Sequence, residues 1–303
     1  MEQLQGIVCS MERFATHDGP GIRTLVYMKG CPLECQWCSS PHTQNRDPEI
    51  LFNQVRCQKD GTCAIECPEN AILISDETLQ IDRKLCNACG ICLEACTNRA
   101  FELTGDTMSI EELFREVDKD SSFYRRSNGG VTVGGGELTV QSPFVSAFLK
   151  RCKEQYIHTA IETCGFSNWS QLDAVLKYVD LLYLDIKHMD EEMHIKLTGV
   201  PNQPILENAR KAAQLCSMII RIPVVPGCND SDDNIRATAR FAAGLEGGVE
   251  RVELLPYHQL GMHRYEQLGL IYPLKDVQSP DDAHMDRLKA IVVSEGIDAE
   301  IVA

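Results

Sequence analysis

Ten of the fifteen cysteines in this 303-residue chain fall between Cys31 and Cys96, and closely spaced thiolates are suited to holding soft metals. They form three groups. The first is Cys31-x3-Cys35-x2-Cys38, and the last is Cys86-x2-Cys89-x2-Cys92-x3-Cys96. Between them stand Cys57, Cys63 and Cys67, the last followed by Pro68. A disulfide framework would also use many cysteines, but the chain is long and the count is odd. The first residues, Met1-Glu2-Gln3-Leu4-Gln5, have neither the basic charge nor the apolar core of a secretion signal. Cys9, Cys152, Cys164, Cys216 and Cys228 match no ligand spacing and read as small core or strand-end hydrophobes.

The last group has the spacing of bacterial ferredoxin ligation, in which the fourth cysteine reaches the neighbouring cluster. Counted from Cys57, the middle group follows the same template: Cys63 and Cys67-Pro68 are in register, and Asp60 stands where a cysteine is expected. The crossed rule assigns Cys67, Cys86, Cys89 and Cys92 to one cluster, and Cys57, Cys63 and Cys96 to the other. Asp60 then has three readings: an oxygen ligand to a labile fourth iron, the mark of a three-iron cluster, or an ordinary surface residue. Zinc also uses paired Cys-x2-Cys spacings, but it closes on four ligands per site, whereas these groups interleave. The first group supplies only three thiolates. A cubane there keeps one iron without a protein ligand, as a catalytic metal keeps a position open for substrate.

Apolar runs with the look of buried strands begin near Ile22, Val131, Thr159, Val179, Met218 and Val252. Amphipathic stretches of helical length lie between the later ones, at 142–154, 171–178, 208–216 and 231–243. Strand alternating with helix predicts an α/β fold with a parallel sheet, and six units make an incomplete (β/α)6 TIM-like barrel. Ligand chemistry in such sheets gathers at the carboxyl ends of the strands. The cysteine loop, Gly136-Glu137, Glu162-Thr163, Asp185-Ile186-Lys187, Arg221 and Leu255-Pro256-Tyr257-His258 are all expected there. The predicted organisation is a barrel of residues 1–50 and 106–303, with a ferredoxin-like α+β insertion over 51–105.

With its Trp37 before the last cysteine, the first cysteine loop resembles that of the radical S-adenosylmethionine superfamily. Upstream of it, His17-Asp18-Gly19-Pro20-Gly21-Ile22-Arg23-Thr24 is similar to the glycyl radical enzyme activating enzymes. The two inserted cluster motifs resemble the longer branch of that family, and Gly134-Gly135-Gly136-Glu137 resembles its strand ending in Gly-Gly-Glu. Gly134, where the family usually has Ser or Thr, and Leu138, where it has Pro or a small residue, depart from the pattern.

The resemblance implies an oxidoreductase that cleaves S-adenosylmethionine reductively, generating a 5′-deoxyadenosyl radical. That radical takes a hydrogen atom from a glycine of a partner glycyl radical enzyme. Cys31, Cys35 and Cys38 would hold the catalytic 4Fe–4S cluster, and two ferredoxin-type clusters would relay electrons from a flavodoxin or ferredoxin. Gly135, Gly136, Glu137, Glu162, Thr163, Asp185, Lys187, Arg221 and His258 are the implied cofactor contacts. Glu137 would accept from the cofactor ammonium, Lys187 would face its carboxylate, and Trp37 would pack beside adenine or cluster. Asp185 would add a polar or monovalent-cation site. Asp18, with Arg23 nearby, is the candidate for gripping the partner's glycine loop.

Without the resemblance, Asp185 and Lys187 are an ion pair at a strand end, His258 a core histidine, and the Gly run a bend. Asp230-Ser231-Asp232-Asp233 reads as a helix N-cap rather than a metal site. Two other functions compete: a radical S-adenosylmethionine enzyme acting on a small molecule or another peptide, and a ferredoxin-like electron carrier. A formal charge of −15 argues against partners bound through nucleic-acid phosphates or an anionic membrane surface. No apolar run is long enough to span a bilayer. An open-iron cluster and a glycyl radical both imply an anaerobic cytoplasm.

Overall fold

The computed structural model describes residues 4–75 and 78–302; the first three residues of the N-terminal reading and two residues of the insertion lie outside them. Thirteen strands are present among the described residues. The first seven are β1 (Gln5–Ala15), β2 (Arg23–Met28), β3 (Glu49–Phe52), β4 (Ile72–Ile74), β5 (Leu79–Ile81), β6 (Phe101–Thr104) and β7 (Asp106–Ser109). The rest are β8 (Gly130–Gly135), β9 (His158–Thr163), β10 (Leu181–Asp185), β11 (Ser217–Val224), β12 (Val249–Pro256) and β13 (Ala299–Ile301). Nine of them make one sheet in the order β13-β12-β11-β10-β9-β8-β2-β1-β7.

From β2 through β12 every neighbour pair in that sheet is parallel, which gives the six expected strands. Helices cover them: Ser142–Glu154 buries Phe144, Val145, Phe148, Leu149 and Cys152 along one face. The helix Asp232–Ala243 begins where expected, with the Ser231 side chain accepting from Asn234 N and two aspartates in the first turn. Two helices sit earlier than the sequence reading placed them, at Trp169–Leu176 and Gln203–Ala212, the latter started by Pro204. Three strands were not anticipated. β1 and β7 add antiparallel at one edge, and the short β13 adds parallel at the other. Among the described residues β13 and β7 end the sheet unjoined, so it remains open.

The segment between β2 and β7 leaves through β3 and returns through β6. These pair antiparallel, with Phe52 opposite Phe101. Beyond them lie the β4–β5 hairpin and two short helices, Thr62–Ile65 and Ile91–Ala95. Ile50, Phe52, Ile72, Leu79 and Phe101 pack there against Cys57, Cys63, Cys67, Cys86, Cys92 and Cys96.

The cysteine loop is moored to the insertion's base by buried charge. Lys29, fully buried, donates to His42 O at 2.8 Å and meets Glu49 at 2.9 Å. His42 is 9% exposed, and burial, with Arg264 and Lys29 nearby, pushes its pKa down to about 4. An unfolded histidine takes up a proton near pH 6.5, whereas the folded chain resists it until about pH 4. This neutral histidine therefore contributes stability above pH 6.5 that is lost as pH falls. Between pH 6.5 and 4, the unfolding free energy of the native chain, from urea titrations, should fall by about 3 kcal/mol more than that of His42→Gln; parallel curves would refute the assignment.

Candidate active site

At the carboxyl ends of the parallel strands lies a cavity of about 300 Å³. Cys31, Cys35 and Cys38 line it together with Trp37. Their loop is fixed by Cys31 N donating to Gln44 O at 2.9 Å and Cys38 N to Cys35 O at 3.1 Å. Trp37, buried, packs with Cys35, Cys38, Leu197, Val225 and Tyr257. Burial raises the pKa of all three thiols, that of Cys35 to about 12. Binding metal as thiolates would reverse that cost.

Charges of both signs face these thiols. Asp18, Glu162, Asp185, Lys187 and Arg221 line the same cavity. Lys187 Nζ donates to Asp185 Oδ2 at 2.6 Å, so the strand-end ion pair exists and also points into the cavity. Arg221 donates to Glu162 at 2.6 Å, to Glu253 at 2.8 Å and to His17 O at 2.7 Å. It lies inside β11 rather than at its end, but opposite Asp185, which brings it level with the mouth. Burial and the neighbouring carboxylates of Asp18 and Asp185 push Glu162 up to about 7 against the pull of Arg221. His258 is exposed at the cavity rim and accepts from Leu260 N at 3.3 Å, which removes the core-histidine reading.

The glycines are required by contact. A Cβ on Gly136 would stand 2.4 Å from Gly30 O, and one on Gly135 2.6 Å from Met28 N. Gly135 also has φ +101°, a conformation that side chains disfavour. Gly134 abuts Glu162, whose Oε2 and Cβ would lie 3.1 and 3.2 Å from an added Cβ. Leu138 is simply core.

Two expectations are corrected. Glu137 does not face the cavity: it is fully buried, and its carboxylate accepts from Thr139 N and Oγ1, Thr163 Oγ1, and Cys164 N and Sγ at 2.7–3.1 Å. It braces the Thr163–Cys164 turn, which does line the cavity. Arg23 does not stand ready for a partner. It is buried, donating to Thr132 Oγ1, Val131 O and Pro20 O, and so pins the Asp18–Pro20 turn. Cys164, read as an ordinary hydrophobe, lies in the site; no spacing in the sequence marks it.

In the insertion, Cys67, Cys86, Cys89 and Cys92 line a second, small cavity. Burial raises the pKa of the Cys63 thiol, and the negative charges of Cys57, Asp60 and Cys96 add to it. Among the described residues no three Cys, His, Asp or Glu side chains converge as a single ion requires. A zinc ion would draw its sulfurs to about 2.3 Å from one point. Soft, spread donor sets fit iron–sulfur clusters better. The charged cavity, with apolar walls from Leu25, Leu33 and Val225, fits a ligand carrying both an ammonium and a carboxylate.

The family description "Radical SAM superfamily" matches residues 87–242, and "4Fe-4S single cluster domain" matches 17–72. The isethionate sulfite-lyase activating enzyme of Oleidesulfovibrio alaskensis is 43% identical over 96% of this chain and 95% of its own. The trans-4-hydroxy-L-proline dehydratase activating enzyme of Clostridioides difficile is 36% identical over 97% and 98%. Among solved structures, a domain of pyruvate-formate lyase-activating enzyme from Bacteroides vulgatus shares 33% identity at a TM-score of 0.50, covering 58% of this chain and 99% of that one.

Proposed function

The chain belongs to the glycyl radical enzyme activating enzymes of the radical SAM superfamily, and on that premise we propose how its own residues install a glycyl radical in a partner. One observation carries the reading: three half-buried thiols and paired charges of both signs share one cavity at the open mouth of the sheet. When bound, a cluster on Cys31, Cys35 and Cys38 and S-adenosylmethionine supply a one-electron cleavage that ends in hydrogen-atom abstraction from glycine.

The protein's part is to bind, orient and exclude water. Lys187 meets the ligand's carboxylate, while Glu162 and Asp185 accept from its ammonium. Lys187 already brings positive charge to Asp185, so the reading needs no separate cation. Gly135 and Gly136 let backbone approach the ligand, and Thr163 presents the turn that Glu137 braces. Trp37 and Tyr257 make the apolar wall, and His258 closes the rim. Asp18, held by the turn Arg23 pins, offers a carboxylate to the N–H groups of the incoming glycine loop. We assign the inserted thiolates to two further clusters on the route from a low-potential donor such as flavodoxin or ferredoxin, in an anaerobic cytoplasm. The relatives are named for different partners, an isethionate sulfite-lyase and a trans-4-hydroxy-L-proline dehydratase. What such activating enzymes share is therefore the glycine, not the partner's substrate.

Anaerobic incubation with a glycyl radical enzyme, reductant and S-adenosylmethionine should produce a glycyl doublet in the paramagnetic resonance spectrum. Cleavage of S-adenosylmethionine with no doublet from any such partner would overturn the partner class.

A further inference from the structure

The insertion is a structural repeat with a period of 29 residues, and the repeat places Asp60 on Cys89. Lys59 and Ala88 share φ of 57° and 56°, Gly61 and Gly90 share 82° and 83°, and Asn70 and Arg99 share 50° and 51°. The short helices Thr62–Ile65 and Ile91–Ala95 start after those glycines. Cys67 Sγ accepts from Ala71 N at 3.3 Å, and Cys96 Sγ accepts from Ala100 N at 3.4 Å. Exposure repeats as well. Cys57 and Cys86 are half-buried, Cys63 and Cys92 buried, Cys67 and Cys96 half-buried, and Asp60 and Cys89 exposed.

Cys89 lies in the small cavity with Cys67, Cys86 and Cys92. By the repeat, Asp60 holds the corresponding place beside Cys57, Cys63 and Cys96, each 29 residues from its counterpart Cys86, Cys92 or Cys67. Its Oδ1 accepts from Thr62 N at 2.9 Å, which fixes the carboxylate in that turn. A surface residue of no consequence would not need to keep the backbone of a ligand loop on both sides.

We propose that Asp60 is the oxygen ligand to one iron of the second inserted cluster, making that iron exchangeable where its three neighbours are held by thiolate. The proposal rests on the reading that the insertion binds two clusters. A hard carboxylate binds ferric or ferrous iron less tenaciously within a sulfur core than a thiolate does. Oxidation by ferricyanide removes one electron from the four-iron core, and one ferrous ion then departs, leaving an oxidised three-iron core. Restoration needs one electron and one ferrous ion.

The test uses the full chain with Cys31, Cys35 and Cys38 all changed to serine, so that its only iron belongs to the insertion. Iron content and the paramagnetic resonance spectrum are followed through ferricyanide oxidation, desalting, and addition of dithionite with ferrous iron. With Asp60 present, oxidation should release about one iron of eight and give a three-iron signal of about one spin per chain, reversed by dithionite and ferrous iron. Asp60→Cys should cut that signal at least tenfold (on the order of 1.4 kcal/mol). Asp60→Ser, a smaller perturbation of folding, should show the three-iron signal without refilling. Equal iron retention by Asp60 and Asp60→Cys overturns the proposal alone. A background chain that holds no iron overturns the two-cluster reading, and the proposal with it.

Discussion

Cys35→Ala should leave a folded chain that no longer cleaves S-adenosylmethionine. Changes to groups that merely orient ligands already cost about 10–100-fold, and removal of one of three ligands from a site with an open iron should exceed that, by on the order of 10³-fold or more. The fold should survive because Cys35 is one small, half-buried member of a cluster whose bulk is Trp37, Leu197, Val225, Tyr257, Tyr265 and Tyr272. The inserted thiolates stand apart in their own core, so part of the iron should remain. The readouts are 5′-deoxyadenosine formed with dithionite, iron per chain and the thermal transition. Cleavage within tenfold of the native rate would remove Cys35 from the cluster.

Arg221→Ala should be the most destabilising change in the cavity. Arg221 is 6% exposed and answers two carboxylates, of which Glu253 is 2% exposed; its guanidinium also stacks 3.8 Å over the Tyr183 ring. Removing one side of a buried pair leaves uncompensated charge and costs about 3–5 kcal/mol. Arg251 still reaches Glu253 at 2.6 Å, so the cost should fall mainly on Glu162 and on the His17 carbonyl. Adding Glu162→Gln to Arg221→Ala should then recover part of the loss, because contacting residues do not act additively. Chemical denaturation of the two single variants and the double variant checks this. Strict additivity would show that Glu162 does not depend on Arg221.

Much of this architecture is legible in the sequence because buried parallel strands tend to near-continuous apolar runs, clearest at 181–184 in β10 and 218–220 in β11. β1 and β7 were missed because an antiparallel edge faces solvent on one side and breaks the run. β13 has only three residues, too few for any period to show. Helix Gln203–Ala212 starts earlier than the sequence pattern suggests because its buried face mixes Ile205 and Ala209 with polar Asn208, and Pro204 is the better guide to its start. Site residues were legible by type and by their place along a strand, which is why Asp18, Glu162, Asp185, Lys187 and His258 meet. Side-chain direction was not legible. Glu137 and Arg23 both sit among cavity residues in sequence, yet each turns into the protein, where carboxylate and guanidinium find enough partners to offset burial. The repeat in the insertion was half visible as cysteine register; the matched left-handed residues between the cysteines have no signature of type, since Lys59 answers Ala88 and Asn70 answers Arg99.

The β3–β6 pair has a consequence for how the chain can fail. Because Phe52 and Phe101 lie side by side, residues 53–100 begin and end at one point of the molecule. The entropy of bringing those ends together is met by this short ladder and not by the large sheet. If the insertion holds iron as proposed, losing it should loosen residues 53–100 first, while the β2–β8 pairing, which lies outside that segment, is kept.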